Sequence, residues 1–99
     1  MDKALSMIGM ARRANKVYTG SDKCTEAIRK KSAKLVIIAR DASDNTKKAL
    51  TDACRHYGVQ YIEYGTMAEI GHITSSPVTA AAAVTDDNFA KAISDRVTE

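Results

Sequence analysis

The sequence predicts an α/β sandwich in which helices cover both faces of a mixed sheet. Segments with the three-to-four spacing of apolar residues that is typical of helices alternate with short β-prone segments. Residues 35–39, Leu-Val-Ile-Ile-Ala, are apolar without alternation, which indicates a central strand buried on both faces. Because two domains within 99 residues would each lack a core, we expect a single domain over residues 1–99.

The N-terminal third predicts a helix, a short strand and a second helix. Apolar residues one turn apart place the first helix over residues 3–14. Residues 17–19 are β-prone and are closed by Gly20. Either Ser21 or Asp22 is then placed to cap the second helix.

The middle of the chain predicts a long helix, a strand and a short helix. Residues 41–45 offer several caps for the long helix, and Gly58 is placed to end it. Residues 59–64 form the next expected strand. Thr66 and Glu69 match the capping box that opens a helix.

The C-terminal third predicts a loop, one more strand and a final helix. Ser-Ser-Pro at residues 75–77 is typical of a loop. Residues 78–84 are expected to form a strand despite their alanines, and a helix remains the alternative. Asp86 or Asp87 is placed to cap the last helix.

Charge is distributed unevenly along the chain. The net charge is +3, but residues 1–34 hold nine Lys/Arg against three Asp/Glu, hence +6, and the other 65 residues carry −3. Such asymmetry is typical of a polyanion-binding face. Lys-rich solvated helix faces would give the same count, so charge alone does not separate the two interpretations.

Several classes of protein are not indicated by any motif. No apolar run approaches the roughly 20 residues that span a bilayer, and no signal-peptide pattern is present, so we expect a cytoplasmic protein without membrane contact. Two cysteines are too few for a disulfide scaffold. Dinucleotide-binding and Walker loops are missing, and Cys and His lack metal-ligand spacing. We therefore expect no catalysis, cofactor or metal.

One segment does indicate binding. Residues 20–23, Gly-Ser-Asp-Lys, precede a helix whose first-turn amide groups and positive dipole end form an anion site. Basic residues surround this turn along the chain. They are Arg13, Lys16, Arg29, Lys30, Lys31 and Lys34.

The order of several motifs resembles the superfamily of kink-turn-binding ribosomal proteins that includes archaeal L7Ae and eukaryotic L30e. The most specific are Ala-Lys-Leu-Val-Ile-Ile-Ala at residues 33–39 and Glu-Ile-Gly-His at residues 69–72. Further matching segments are residues 19–23, 27–30, 40–42, 64–68 and 84–86. Residues 4–17 and 41–48 are closest to the bacterial YlxQ-type branch. The resemblance covers essentially the whole chain.

The resemblance implies a fold, a ligand and a set of site residues. The family fold is a three-layer α/β/α sandwich around a four-stranded mixed sheet, and its activity is binding kink-turn or related RNA. In the family, a Gly-x-Asn-Glu turn before the second helix contacts the sheared guanines, and a lysine one turn later supports it. The matching positions are Gly20, Ser21, Asp22, Lys23 and Glu26.

Other matching positions are implied to contact RNA at the edges of that turn. Lys30 matches a basic residue that contacts phosphate, and Asp41 matches an acidic residue of the RNA face. Val78 matches the apolar loop that packs against the extruded nucleotide. With Lys30, the cations Arg13, Lys16 and Lys34 are expected to hold phosphates.

The sequence departs from the family pattern at three of these positions. Asp22 replaces the asparagine and lacks its amide donors, Lys23 replaces the carboxylate that accepts guanine hydrogens, and Glu26 replaces the lysine. A base-edge contact contributes about 1–3 kcal/mol of discrimination. We therefore expect weakened kink-turn specificity but general RNA affinity from lysines and arginines.

The leading hypothesis is a non-catalytic, ribosome-associated protein that recognises a kink-turn or other structured RNA. The alternative is a protein-interaction module on the same scaffold that has lost specific kink-turn binding. The alternative requires exposed apolar patches rather than a basic face.

Overall fold

The computed structural model describes residues 2–98, and over these it contains five helices and four strands in the predicted order. The helices are Lys3–Arg13 (α1), Ser21–Arg29 (α2), Asp44–Tyr57 (α3), Met67–Ile73 (α4) and Asp87–Val97 (α5). The strands are Val17–Thr19 (β1), Leu35–Ile38 (β2), Gln60–Glu63 (β3) and Ala81–Val84 (β4). Within residues 2–98, no helix has the length and apolar character needed to cross a membrane.

The four strands form one mixed sheet in the order β1-β4-β2-β3. β4 is antiparallel to both neighbours, and β2 is parallel to β3. Every residue of the two central strands is buried, as the apolar run of β2 predicts. The helical alternative for residues 78–84 is wrong, because Ala81–Val84 is a central strand.

Helices pack in two groups, which confirms the predicted three-layer sandwich. α2 packs against α3, whereas α1 packs against α4 and α5. The alanines of β4 present small side chains, so both α2 and α5 contact this strand closely. Fully buried side chains from every layer form the core, among them Ile8, Ile28, Ile37, Leu50, Ile70 and Ile93.

The N-terminus of α2 differs from the expectation. Its cap is Gly20, not Ser21 or Asp22, since Ser21 is already the first helical residue. Gly20 adopts φ +97° and ψ 149°, and no side chain caps the helix. Gly20 is therefore the single residue that connects the end of β1 to the start of α2.

The other helix starts follow local sequence more closely. Thr66 and Glu69 form the predicted capping box of α4. Ser43 caps α3, within the predicted segment. Asp41 does not cap α3, because its Oδ1 accepts the N–H of Met67 at 2.8 Å in the first turn of α4.

The last two predicted boundaries are also confirmed. Gly58 ends α3 in the left-handed conformation, with φ +70°. Asp86 caps α5 by accepting the N–H of Phe89 at 2.9 Å. Residues 78–80 belong to the loop before β4 rather than to the strand.

The sheet has two ends that matter for the site. At the turn end, β1, β2 and β3 finish and β4 begins, since Ile38 pairs with Ala81 and Thr19 with Ala82. At the far end, β1, β2 and β3 begin and β4 finishes at Val84. The N-termini of α2, α3 and α4 follow strands that finish at the turn end. A four-residue strand separates the two ends by ~13 Å.

Candidate nucleic-acid interface

The turn between β1 and α2 is held by backbone bonds at the turn end. The Gly20 N–H donates to the carbonyl of Ala81 at 3.1 Å, and the Gly20 carbonyl accepts the N–H of Cys24 at 3.0 Å. A Cβ at Gly20 would meet no atom within 4 Å, so glycine is required for its positive φ and not for space. With no side-chain cap, the first-turn amides of α2 remain available to an anion.

The loop of residues 74–80 lies beside this turn. The Ala81 carbonyl that accepts Gly20 also accepts the hydroxyl of Thr79 at 3.2 Å. On the neighbouring side, Thr19 Oγ1 and Ser76 Oγ are 3.2 Å apart. The two segments therefore form one connected surface.

The same loop presses against α4. A Cβ added to Gly71 would lie 2.6 Å from the carbonyl oxygen of Pro77. The Gly71 carbonyl accepts the Ser76 N–H at 2.8 Å. Val78 follows with 67% of its surface exposed, so an apolar side chain projects from a loop that is fixed on both sides.

Arg12 joins the loop to α1 and β1. Its Nε donates to the carbonyl of Thr74 at 3.2 Å, and its Nη1 donates to the carbonyl of Val17 at 2.9 Å. The guanidinium of the half-buried Arg12 therefore stabilises the fold by bonding to backbone carbonyls. The exposed Arg13 instead lines a groove of about 340 Å³ with His72, between α1 and the end of α4.

A cleft of about 190 Å³ lies between β1 and α2, lined in part by Tyr18, Lys23, Glu26 and Lys30. Lys30 Nζ lies 2.6 Å from Glu26 Oε1, in an exposed ion pair one helical turn long. The hydrogen bond and charge of Lys30 lower the pKa of Glu26, and those of Glu26 raise the pKa of Lys30. The charge of Glu26 is thus balanced by its neighbour Lys30.

Asp41 lies at the turn end, exposed and bonded to the first turn of α4. Its neighbour Arg40 lies over the ring of Tyr64, with the guanidinium carbon 5.2 Å from the ring centroid. Arg40 is exposed and adds a cation to the turn end. The sequence reasoning did not include it.

Lys16 and Lys34 lie at the far end. The carbonyl of Lys16 accepts the N–H of Thr85 at 2.8 Å, and the N–H of Lys34 donates to the carbonyl of Val84 at 2.7 Å. Both lysines are exposed and flank the end of β4. The structure thus divides the expected site residues. Gly20, Ser21, Asp22, Asp41 and Val78 belong to the turn end, Lys23 to both the turn end and the cleft beside α2, Glu26 and Lys30 to that cleft, Arg13 to the α1 groove, and Lys16 and Lys34 to the far end.

The thiols offer no reactive group. Both cysteines are free and buried. Burial, with a smaller contribution from Cys54, raises the pKa of Cys24 to about 12, and burial raises the pKa of Cys54 to about 11. A thiol that stays protonated at neutral pH is a poor nucleophile. Among residues 2–98, no group of three or more His, Cys, Asp or Glu is arranged to hold a metal ion.

Tyr18 was missed by the sequence reasoning. Its side chain is 49% exposed because β1 is an edge strand, whereas Val17 is buried. The alternation of Val17, Tyr18 and Thr19 was the available signal. It was not decisive, since strand order could not be derived from the pattern.

Comparison with known families gives one match over nearly the whole chain. Residues 2–94 match the "Ribosomal protein L7Ae/L30e/S12e/Gadd45 family". The RNA-binding protein YlxQ of Bacillus subtilis (strain 168) is 40% identical over 84 residues, which cover 85% of this chain and 84% of that protein. The RNA-binding protein YlxQ of Enterococcus faecium is 39% identical over 89 residues, covering 90% and 85%.

Solved structures share the fold. A protein of unknown function from Bacillus halodurans C superimposes with a TM-score of 0.94 at 28% identity and covers 100% of both chains. The 15.5kD RNA binding protein of Giardia lamblia superimposes with a TM-score of 0.80 at 24% identity, covering 97% of this chain and 82% of that one. The second likeness concerns the fold alone.

Proposed function

The chain belongs to the ribosomal protein L7Ae/L30e/S12e/Gadd45 family, and we propose that it binds a kink-turn or other bent, structured RNA as a ribosome-associated protein. The observation that carries the proposal is the connected surface at the turn end. There, the carbonyl of Ala81 accepts hydrogen bonds from both Gly20, at the uncapped start of α2, and Thr79, in the loop whose exposed residue is Val78.

Membership of this family confirms the prediction that the chain is not an enzyme, since its named relatives are RNA-binding proteins. A ribosome-associated role keeps the protein in the cytoplasm, where free cysteines stay reduced.

The turn end supplies groups suited to recognise a bent or looped segment. Amide groups at the start of α2 donate to phosphate or base oxygens. Val78 offers an apolar surface to an unstacked base, as proteins that recognise single-stranded loops do. Lys23 and Asp22, both exposed in the first turn of α2, face the same segment of RNA.

Phosphate contacts extend away from this turn. Lys30 ends α2, and α2 is ~14 Å long, so a phosphate chain that follows the helix reaches Lys30 after leaving the turn end. Lys16 and Lys34 hold phosphates of an RNA stem that continues to the far end. Arg13 contacts RNA that passes the loop on the α1 side.

Base recognition differs from the family pattern. Asp22, Lys23 and Glu26 lack the donors and acceptors that the family directs at sheared guanines, and Glu26 is occupied by Lys30. The protein therefore relies more on shape and phosphates than on base edges.

A titration against three RNAs across a salt series tests the proposal. The RNAs are a kink-turn, the same RNA with its sheared pairs replaced, and a plain duplex. We expect the tightest binding to the kink-turn and a steep salt dependence for all three. Equal, weak binding to the three would reduce the function to electrostatic attachment.

The alternative is a protein-interaction module, favoured by the three replaced base-recognising residues. Against it, the exposed large apolar residues among residues 2–98 are three single side chains, Met10 in α1, Tyr18 in β1 and Val78 in the loop of residues 74–80. A docking face normally presents a contiguous apolar patch. The absence of any RNA binding at low salt would favour the alternative.

A further inference from the structure

The cleft between β1 and α2 presents an aromatic ring that is half-exposed and is not part of the hydrophobic core cluster. Tyr18 lies on an edge strand, and 49% of its surface is exposed. Tyr61, on the opposite edge strand β3, differs, because Arg55 Nε donates to its hydroxyl at 3.1 Å and it packs against the core. The ring of Tyr18 thus has a face open to a ligand.

Charged groups stand around this ring in a defined arrangement. Lys23 and Lys30 bring two cations to the cleft, and Glu26 brings one carboxylate that pairs with Lys30 through Oε1. The cleft therefore carries a net positive charge beside an aromatic face. This combination matches a nucleotide, whose base stacks on aromatic rings and whose phosphate pairs with lysine.

The size of the cleft limits the ligand. Its volume of about 190 Å³ is below the roughly 300–1,000 Å³ of sites that enclose drug-sized molecules. A dinucleotide or a bulky cofactor does not fit such a space, whereas one flat base with its backbone outside does. The open side of the cleft lets the rest of an RNA chain pass in solvent.

We propose that this cleft holds one unpaired nucleotide of the bound RNA, with its base stacked on Tyr18 and its phosphates on Lys23 and Lys30. The inference rests on the proposed RNA-binding function and adds a nucleotide site outside the Gly20 turn and the Val78 loop. Guanine is the preferred base, because its adjacent ring N–H and amino group donate to the carboxylate of Glu26, which is released when Lys30 turns from Glu26 to the phosphate. Uracil places carbonyl oxygens on both sides of its N–H and is repelled.

Short single-stranded RNAs test the stacking. Fluorescently labelled UUGUU and UUUUU are titrated by anisotropy at low salt against the parent protein and the Tyr18→Ala, Tyr18→Leu and Tyr18→Phe variants. We expect Tyr18→Ala and Tyr18→Leu to weaken UUGUU binding by about 5- to 150-fold, the range for one stacked base. Tyr18→Phe keeps the ring and stays within about twofold of the parent.

Base preference and fold have their own controls. The parent protein is expected to bind UUGUU more tightly than UUUUU, and Glu26→Gln is expected to lose this preference. Tyr61→Ala removes a tyrosine from the other edge strand and leaves UUGUU affinity unchanged. Thermal melting identifies any variant that does not fold, and amide chemical shifts of the parent show whether UUGUU perturbs Tyr18 and Lys23.

The outcomes separate this inference from the function on which it rests. Equal binding of UUGUU by the parent and Tyr18→Ala, or by Tyr18→Leu and Tyr18→Phe, overturns ring stacking. If the kink-turn RNA binds tightly while UUGUU does not bind, the cleft site is wrong and the proposed function stands. If no RNA binds at low salt, both the cleft site and the proposed function are wrong.

Discussion

The turn end and the far end of the sheet both carry lysines, yet they are built differently. At the turn end, Gly20 takes a positive φ, and the Ala81 carbonyl joins the helix turn to the loop. At the far end, backbone bonds that extend the sheet place Lys16 and Lys34, and the hydroxyl of Thr85 also donates to the carbonyl of Lys16. Recognition of an RNA shape requires fixed donors and surfaces, whereas holding phosphates requires only charge.

The difference shows why charge alone was a poor guide to the site. Residues 1–34 carry a net charge of +6, but their lysines and arginines lie in several parts of the molecule. Arg12 bonds to backbone carbonyls, and Lys30 pairs with Glu26. Lys16 and Lys34 lie about one strand length from the Gly20 turn. We therefore expect changes at the turn end to alter which RNA is bound and changes at the far end to alter how strongly any RNA is bound.

The largest effect is expected from restoring the family pattern at the turn end. The triple variant Asp22→Asn, Lys23→Glu, Glu26→Lys returns two base-edge contacts, each of which contributes about 5- to 150-fold in discrimination, and the lysine that supports them. We expect the preference for kink-turn RNA over the RNA with replaced sheared pairs to rise by at least about 25-fold. Parallel affinity titrations of the two RNAs measure this ratio.

The control for this variant reverses a charge at the far end. Lys34→Glu should weaken both RNAs alike and leave their ratio unchanged, because it removes a phosphate contact. All four side chains are exposed, so stability should change little in either protein. An unchanged ratio in the triple variant would mean that the turn does not contact the sheared pairs.

A second prediction concerns the loop that carries Val78. Gly71→Ala puts a Cβ 2.6 Å from the backbone oxygen of Pro77, so the loop must shift. We expect a loss of about 1–3 kcal/mol in unfolding free energy, as for other overpacked sites, and weaker kink-turn binding. Denaturant unfolding and titration measure the two effects.

Gly58→Ala is the matched substitution away from the turn end. Gly58 has φ +70° at the end of α3 and open space around it, so alanine costs about 1–2 kcal/mol through the left-handed conformation. Its RNA binding should equal that of the parent. Equal loss of binding in both variants would show that stability, and not the loop, controls affinity.

Local sequence predicted the elements of the fold because their signals lie within one turn of each helix. The Thr66–Glu69 capping box, the Asp86 cap and the Gly58 terminus all depend on neighbours in the chain. Asp41 was misassigned because its partner, Met67, is 26 residues away. The cap of α2 was displaced by one residue because Gly20 needs no side chain to begin a helix.

The site was less predictable because its members meet only through the sheet. Strand order decides that β1 is an edge strand, and this exposes Tyr18. The register of β1 and β2 against β4 places Lys16 and Lys34 at the far end of the sheet and not beside the Gly20 turn. Hydrophobic periodicity shows which face of a strand is buried but not which strand lies beside it, so the cations of the first third could be identified without being placed.

A third prediction contrasts the two lysines of the cleft. Lys23 lies in the first turn of α2, near the Gly20 turn, and Lys30 is the C-cap that follows the helix and pairs with Glu26. Lys30→Ala should weaken all three RNAs by the same factor and lower the salt slope by about one unit. Lys23→Ala should instead change the ratio of kink-turn to duplex affinity by about fivefold or more. The reverse pattern would exchange the roles of the two residues.

The smallest effect is expected at the far end, and it depends on the length of the RNA. Lys16→Ala and Lys34→Ala should each lower the salt slope by about one unit for a kink-turn whose stem is extended by about ten base pairs, because such a stem covers the ~13 Å to the far end. For a stem truncated near the bend, neither variant should change the slope. A decrease with both RNAs would mean that the bend itself lies over the far end, and no decrease with either would leave Lys16 and Lys34 outside the interface. The salt slope reports the number of phosphate contacts whatever the base sequence. This measurement therefore distinguishes contacts at the far end from contacts at the turn end even if kink-turn specificity is weak.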